Sequence, residues 1–165
     1  MTNTSSEPAP SFWRRRIVAP ILAQLTQGVT PDRIALTLAL GTACGVFPFL
    51  GFTTALCALV AFALKLNQPI IHVVNQLLWP VQLAGIPLFV ALGQKLYGAP
   101  PVPVNPSEIA HLFAESPREF WTRFGLMGVH ALTAWLLVAP LLTAALHFSL
   151  RPLLRRVAAR RISPA

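Results

Sequence analysis

Charged side chains are scarce in this chain of 165 residues, of which 11% are charged and 55% are hydrophobic. Soluble domains carry roughly a quarter of charged residues. Three long stretches contain no Asp, Glu, Lys or Arg: residues 34–64, 66–94 and 124–150. Charge-free stretches of this length are typical of membrane segments. The composition therefore excludes an ordinary soluble domain and predicts one membrane domain.

The residues of familiar enzyme sites are also missing. No carboxylate lies in any of the three apolar stretches, which leaves them without the paired acids of general acid–base catalysis. The chain has neither a P-loop nor a dinucleotide fingerprint. Its two cysteines, Cys44 and Cys57, and its four scattered histidines match no metal or redox spacing. We therefore expect no enzyme activity, no cofactor and no metal.

The net charge of +8 is concentrated at the two ends of the apolar region. Residues 14–16 are all arginine, and five more arginines lie within residues 151–161, whereas residues 95–123 hold three bases and three acids. Basic residues beside membrane segments mark the cytoplasmic side, so both termini are expected inside and the middle loop outside. The expected partners are the lipid bilayer and anionic lipids at the basic ends. No nucleic-acid-binding module accompanies the bases, so nucleic acid is not expected to bind.

These patterns predict an all-α membrane protein with a Pro/Gly-broken re-entrant helical hairpin and two transmembrane helices. Amphipathic interfacial segments precede and follow them. Thr30 is expected to cap the first membrane helix, with Pro31 at its first position. The predicted segments are a disordered start (1–11), an interfacial helix (12–28), a membrane domain (29–150) and a basic tail (151–165). The membrane domain divides into the broken hairpin (34–64), a span (66–94), a polar loop (95–123) and a span (124–150).

The hairpin is predicted because Pro48 and Gly51 interrupt its apolar stretch. Residues 34–46 and 53–64 are each shorter than the roughly 20 residues that cross a bilayer core. The opposed helix ends at such a break can hold an ion or a polar substrate group. Alternatively, the break is only a turn that lets short helices pack. A ligand there would depend on backbone groups and on threonines such as Thr54.

A polar stripe crosses the second apolar stretch. Gln68, His72, Asn75 and Gln82 fall within an arc of about 80° at 100° per residue. They either line a path or bind backbone groups freed at Pro48, Pro80 and Pro87, since amide hydrogen bonds commonly join membrane helices. Gly41 and Gly45 form a GxxxG pattern, which we expect to pack against residues 53–64.

Several motifs resemble one bacterial membrane family, the domain of unknown function 2062. They are Thr30-Pro31, Gly45-Val46-Phe47-Pro48 with Gly51 and Thr54, Asn67 with Pro69, Asn75 with Trp79-Pro80 and Gln82, and Gly93 with Leu96-Tyr97-Gly98. The likeness covers about residues 28–98, and many members carry Asn-Pro where this chain has Trp79-Pro80. The resemblance implies a bacterial integral membrane protein of no established activity. Some relatives are joined to glycosyltransferase domains, which points to envelope or lipid-linked sugar biology.

Two hypotheses of function follow, both for a multi-pass protein of the bacterial inner membrane with cytoplasmic termini. The first is translocation of a small solute, an ion or a lipid head group. Two spans cannot enclose a path, so this requires a homo-oligomer or a membrane-protein partner. The second is a non-catalytic membrane anchor or scaffold for an envelope partner such as a glycosyltransferase. The candidate path or helix-break residues are Pro48, Gly51, Thr54, Asn67, His72, Asn75, Pro80 and Gln82.

Overall fold

A computed structural model describes residues 30–100 and 114–162, and the regular structure in both ranges is entirely α-helical. The five helices are α1 (Pro31–Gly45), α2 (Thr53–Ala63), α3 (Gln68–Leu77), α4 (Trp79–Leu96) and α5 (Pro117–Ile162). The prediction of an all-α protein is therefore confirmed for these ranges. The predicted disordered start, the interfacial helix over residues 12–28 and the centre of the polar loop lie outside the described residues.

Two helices begin with a side-chain cap, of which one, at Thr30, was predicted from the sequence. The Thr30 hydroxyl accepts from the Arg33 amide at 3.4 Å, and proline follows it in the first turn of α1, as predicted. The Asn67 side chain accepts from the Ile70 amide at 3.0 Å at the start of α3. Each cap satisfies an amide that the first turn of a helix leaves without a partner.

The predicted interruption between α1 and α2 is confirmed. Helix α1 ends at Gly45 and α2 begins at Thr53, with Pro48 buried in the connection. Gly51 has a φ of +85°, in the left-handed region that favours glycine. The turn therefore depends on the Pro and Gly that marked it in the sequence.

The second apolar stretch is two helices rather than one straight one. Helix α3 ends at Leu77, α4 begins at Trp79, and the two meet at an angle of 67°. Pro80 lies in the first turn of α4, where its missing amide is tolerated, but its ring would clash within a continuous helix. The polar stripe therefore does not share one helix face, because Gln82 lies beyond the bend.

Helix α5 extends past the predicted span at both ends. Its 46 residues make about 69 Å at 1.5 Å per residue. The arginines after residue 150 continue this helix, so no break separates the predicted span from the predicted basic tail. The interfacial position of that tail stays a prediction. By length and composition, Phe120–Ala159 within α5 is the one helix among the described residues able to cross a membrane, or one of two if α3 and α4 form a single bent span.

Helix α5 packs along α1 and across α4, and α3 packs against α1 and α2. A Cβ on Gly41 would lie 3.0 Å from Ile71, and one on Gly45 would lie 3.1 Å from Leu78. The two glycines therefore admit α3, and the prediction that they pack against residues 53–64 is wrong. The GxxxG spacing indicates a close helix contact but cannot identify the helix that fills it.

The start of α1 and the end of α5 lie at the same end of the molecule. Asp32 accepts from Arg151 Nε at 2.7 Å and from Arg155 Nη2 at 2.6 Å. Leu154 packs beneath this ion pair against Ile34 and Ala35. The two helices therefore run antiparallel. Asp32, in the first turn of α1, binds arginines that lie more than a hundred residues away in the sequence.

Candidate functional site

A side chain from α4 binds the backbone of the turn between α1 and α2. The Gln82 amide nitrogen donates to the Phe47 carbonyl at 2.9 Å and lies 3.5 Å from the Phe49 carbonyl. Gln82 is 2% exposed. A carbonyl without a partner is unfavourable in an apolar setting, so this amide stabilises the non-helical turn.

Aromatic rings from the break and from α5 surround that turn. The Phe47 ring lies edge-on to Trp135, with ring centroids 4.9 Å apart, and 5.4 Å from the Phe49 ring. The Trp135 indole donates to the Ala43 carbonyl at 2.9 Å, in the last turn of α1. Phe49 reaches on to Gly128, where an added Cβ would lie 3.2 Å from the ring. The immediate surroundings of the break are therefore aromatic.

Other members of the polar stripe also make packing contacts. Asn75 donates to the Thr54 hydroxyl at 3.3 Å, and Gln68 donates to the Ala58 carbonyl at 3.2 Å. His72 is half-buried on α3. These contacts tie α3 to α2. They join helices as amide hydrogen bonds commonly do, but neither acceptor is a backbone group at Pro48, Pro80 or Pro87. Of the stripe, Gln82 makes the contact that the alternative predicted, to the carbonyl before Pro48.

The eight candidate residues therefore fall into separate places. The structure brings Gln82 to the turn that contains Pro48, and Asn75 to Thr54. Asn67 caps α3, and Pro80 is exposed in the first turn of α4. The arrangement joins helices, and it does not assemble these side chains around one polar cavity in the described part of the chain.

A second polar cluster, between α4 and α5, was not predicted from the sequence. His130 stacks on Tyr97 with ring centroids 4.5 Å apart, and the Tyr97 hydroxyl lies 3.1 Å from that of Thr133. Gly93 lies directly against the His130 backbone. The His130 Nδ1 and Gln94 Nε2 atoms are buried and have no hydrogen-bond partner among the described residues. Only the small residue Gly93 signalled a close contact in the sequence.

The end where α1 begins and α5 finishes is strongly basic. Arg33 donates from Nη1 to the Lys65 carbonyl at 3.0 Å, which brings the turn after α2 to this end. Hydrogen bonds from Arg155 and then Arg151 lower the pKa of Asp32 to about 2. Two bases of these segments, Arg151 and Arg155, bind this one carboxylate. Arg33, Lys65 and Arg156 are further bases in the same segments.

Two open apolar grooves mark the surface of the bundle. One of about 530 Å³ lies between α1, α2 and α5, and one of about 480 Å³ lies between the break, α2 and Trp121. Volumes of this size are those of small-molecule sites. No three His, Cys, Asp or Glu side chains of residues 30–100 and 114–162 are placed to hold a metal ion.

The chain matches a known bacterial family. A family model described as "Uncharacterized protein conserved in bacteria (DUF2062)" matches residues 14–163. It includes all five helices and extends the resemblance found over residues 28–98 through α5. No curated protein and no solved structure matches the chain.

Proposed function

This chain belongs to the uncharacterized bacterial family DUF2062, and from its helix packing we propose that it is a non-catalytic scaffold of the bacterial inner membrane. Its broken helices provide an apolar docking surface for an envelope partner such as a glycosyltransferase. The observation that carries the proposal is the Gln82 amide at the break, which occupies backbone carbonyls that a translocation path would present to its cargo.

Exposed apolar side chains support the membrane setting. Phe62 is 81% exposed, Leu141 72% and Leu88 67%, on three different helices. Large exposed apolar surfaces are rare on soluble monomers. Lipid that covers them removes the unfavourable contact with water. In this setting α5 is one span, and α3 with α4 is a second, bent one.

The basic end supports an orientation with this end in the cytoplasm, since basic residues beside membrane segments favour that side. Trp135 and Gly128, which contact the break, lie about 24 Å and 35 Å along α5 from Arg151. The hydrocarbon core is about 30 Å thick. The hairpin of α1 and α2 then enters from the cytoplasmic side, and its turn lies near the far side of the core. The termini remain cytoplasmic.

Accessibility of the break to water tests the scaffold proposal. We would place single cysteines at Val46 and Pro48 in a Cys44→Ala, Cys57→Ala background and apply impermeant thiol reagents to oriented vesicles. Leu50→Cys, at an exposed position in the same turn, is the matched reference. A dry scaffold turn predicts that Pro48→Cys stays unlabelled from both sides. Labelling of Pro48→Cys as fast as Leu50→Cys would instead indicate a hydrated path.

The partner can be tested at the exposed face of α2. Photocrosslinking residues at Leu59 and Phe62, both more than half exposed, would be activated in native membranes. A scaffold predicts one discrete adduct with an envelope protein at these positions and none at the buried position Ala61. Adducts only with a second copy of this chain would contradict a hetero-partner.

Translocation by a homo-oligomer remains a second candidate, favoured by one observation. Gln94 and His130 are 5% and 6% exposed, and both carry polar atoms without partners among the described residues. Polar groups of this kind mark substrate or ion pathways in membranes. Solute flux through proteoliposomes that is abolished in His130→Leu would support this candidate over the scaffold.

A further inference from the structure

The groove between α1, α2 and α5 has the shape of a site for one extended apolar chain. Its walls are aliphatic, with Leu36 and Leu40 from α1, Leu56 and Val60 from α2, and Ala139 and Pro140 from α5. Trp135 and His147 also line it and lie 12 residues apart on α5, which makes about 18 Å. Half of a bilayer core is about 15 Å, so the groove matches the length of an acyl chain in one leaflet.

The two ends of the groove differ in polarity. At one end, the Trp135 indole is held by the Ala43 carbonyl. At the other end, His147 and Thr143 are the polar residues of the lining, and the His147 Nδ1 atom is buried without a partner among the described residues. The groove is therefore amphipathic along its length, like a lipid.

Basic residues lie one helical turn beyond the polar end. Arg151 follows His147 by four residues, and Arg33 precedes Leu36 by three, so each is about 5–6 Å further along its helix. Lys65 follows the end of α2, and its carbonyl accepts from Arg33. Arg33, Lys65 and Arg151 form a basic rim at this end of the groove. Asp32 is the only acid at the rim among the described residues, and it already binds two arginines. The positive charges of Arg33 and Lys65 have no acid opposite them in the described ion pairs.

We propose that this groove binds an anionic phospholipid, with one acyl chain between α1, α2 and α5 and its phosphate at Arg33 and Lys65. His147 offers the ester and glycerol region a hydrogen-bond partner. This inference rests on the proposed membrane placement and names the lipid that the basic end selects. Charge complementarity favours an anionic lipid over a second copy of this chain, which would bring the same bases to the rim.

Quenching of Trp135 fluorescence by brominated lipid tests the site. The full chain with Trp13→Phe, Trp79→Phe and Trp121→Phe keeps Trp135 as its only tryptophan. It would be reconstituted in phosphatidylcholine with increasing fractions of chain-brominated phosphatidylglycerol or chain-brominated phosphatidylcholine. We expect half-maximal quenching at a fraction of brominated phosphatidylglycerol about 30-fold lower than the fraction of brominated phosphatidylcholine that is needed, from the usual attraction of two juxtamembrane bases for anionic lipid.

The charge dependence has a matched control. Arg33→Gln with Lys65→Asn should remove the preference for phosphatidylglycerol; asparagine is chosen because it tolerates the φ of +51° at Lys65. Lys95→Gln with Arg118→Gln removes the same charge elsewhere and should preserve the preference. In the unsubstituted rim, 1 M salt should weaken the preference without any change of sequence. Equal quenching by the two lipids, or a preference that survives the rim substitutions in folded protein, overturns the site.

A second tryptophan position separates failure of this inference from failure of the proposed membrane setting. Leu141→Trp, in a background without other tryptophans, reports the exposed face of α5 at a depth between Trp135 and His147. Quenching there without quenching at Trp135 would show that the chain lies in lipid but that another occupant, such as a second copy, fills the groove. No quenching at Leu141→Trp would overturn the membrane placement itself.

Discussion

Gly93 offers the sharpest test of the contact between α4 and α5. A Cβ at this position would lie 2.9 Å from the His130 Cβ and still closer to the His130 backbone carbonyl. A backbone carbonyl within a helix cannot move aside as the end of a flexible side chain can. Gly93→Ala must therefore separate the two helices or distort one of them.

The expected loss of stability can be estimated from the packing. Overpacking typically costs about 1–3 kcal/mol, and contact with backbone places this site at the upper end. Replacing glycine by alanine within a helix returns about 0.5–1 kcal/mol. The net loss is about 2 kcal/mol, or a Tm lower by about 4–8 °C for a chain of this size. Thermal unfolding in mild detergent, followed by intrinsic fluorescence, would measure it.

Gly85 on the same helix provides the control. A Cβ there would meet only Phe89, at an ordinary 3.8 Å. Gly85→Ala should therefore stabilise the protein, because alanine favours a helix more than glycine does and meets no steric conflict here. The Tm should rise by about 2–4 °C. If Gly93→Ala is as stable as Gly85→Ala, the close approach of α4 and α5 does not exist in the folded protein.

Three further perturbations test the other contacts. The ion pairs that lower the pKa of Asp32 stabilise the fold above about pH 4, and this stability is lost as the pH falls toward 2. The Tm of the wild type should therefore fall across this pH range. The Tm of Asp32→Asn should be lower than that of the wild type at pH 6 and should change less with pH. Gln82→Leu removes the donor to the carbonyls of the break and should cost about 1–3 kcal/mol in chemical unfolding, whereas an equal effect of Gln76→Leu, at an exposed position, would refute a specific role for that amide. Trp135→Phe removes one indole hydrogen bond and should cost about 1 kcal/mol, and Trp121→Phe, at an exposed site, should change the stability by less than about 0.5 kcal/mol.

The helix cap and the helix break were predicted from the sequence, because both depend on residues within a few positions of one another. Thr30 caps α1 because a hydroxyl at that position satisfies an amide three residues later. Pro48 and Gly51 end one helix before the next because they disfavour a continuous ladder of hydrogen bonds. Each prediction needed only residues within a few positions, and the family resemblance came from the same local motifs.

Contacts between distant segments were not predicted. The partner of Gly41 is on α3, because α3 rather than α2 runs close along that face of α1. Nothing near Asp32 in sequence indicates that Arg155 will pair with it. The 67° bend also separated Gln82 from a stripe that a straight helix would have kept on one face. The sequence therefore identified the residues that interrupt the helices, Pro48 and Gly51, but did not indicate the polar cluster around His130. That the break is a functional site stays a prediction.

The antiparallel pairing of α1 with α5 has a consequence for the synthesis of the protein. Asp32 and Arg151 are 119 residues apart, and Ala43 and Trp135 are 92 apart. At about 5–20 residues per second, the ribosome needs about 6–24 s to make the residues between Asp32 and Arg151. During this interval the face of α1 that α5 will cover has no final partner. Among the described helices, the first to be made is thus the last to gain its full set of helix contacts.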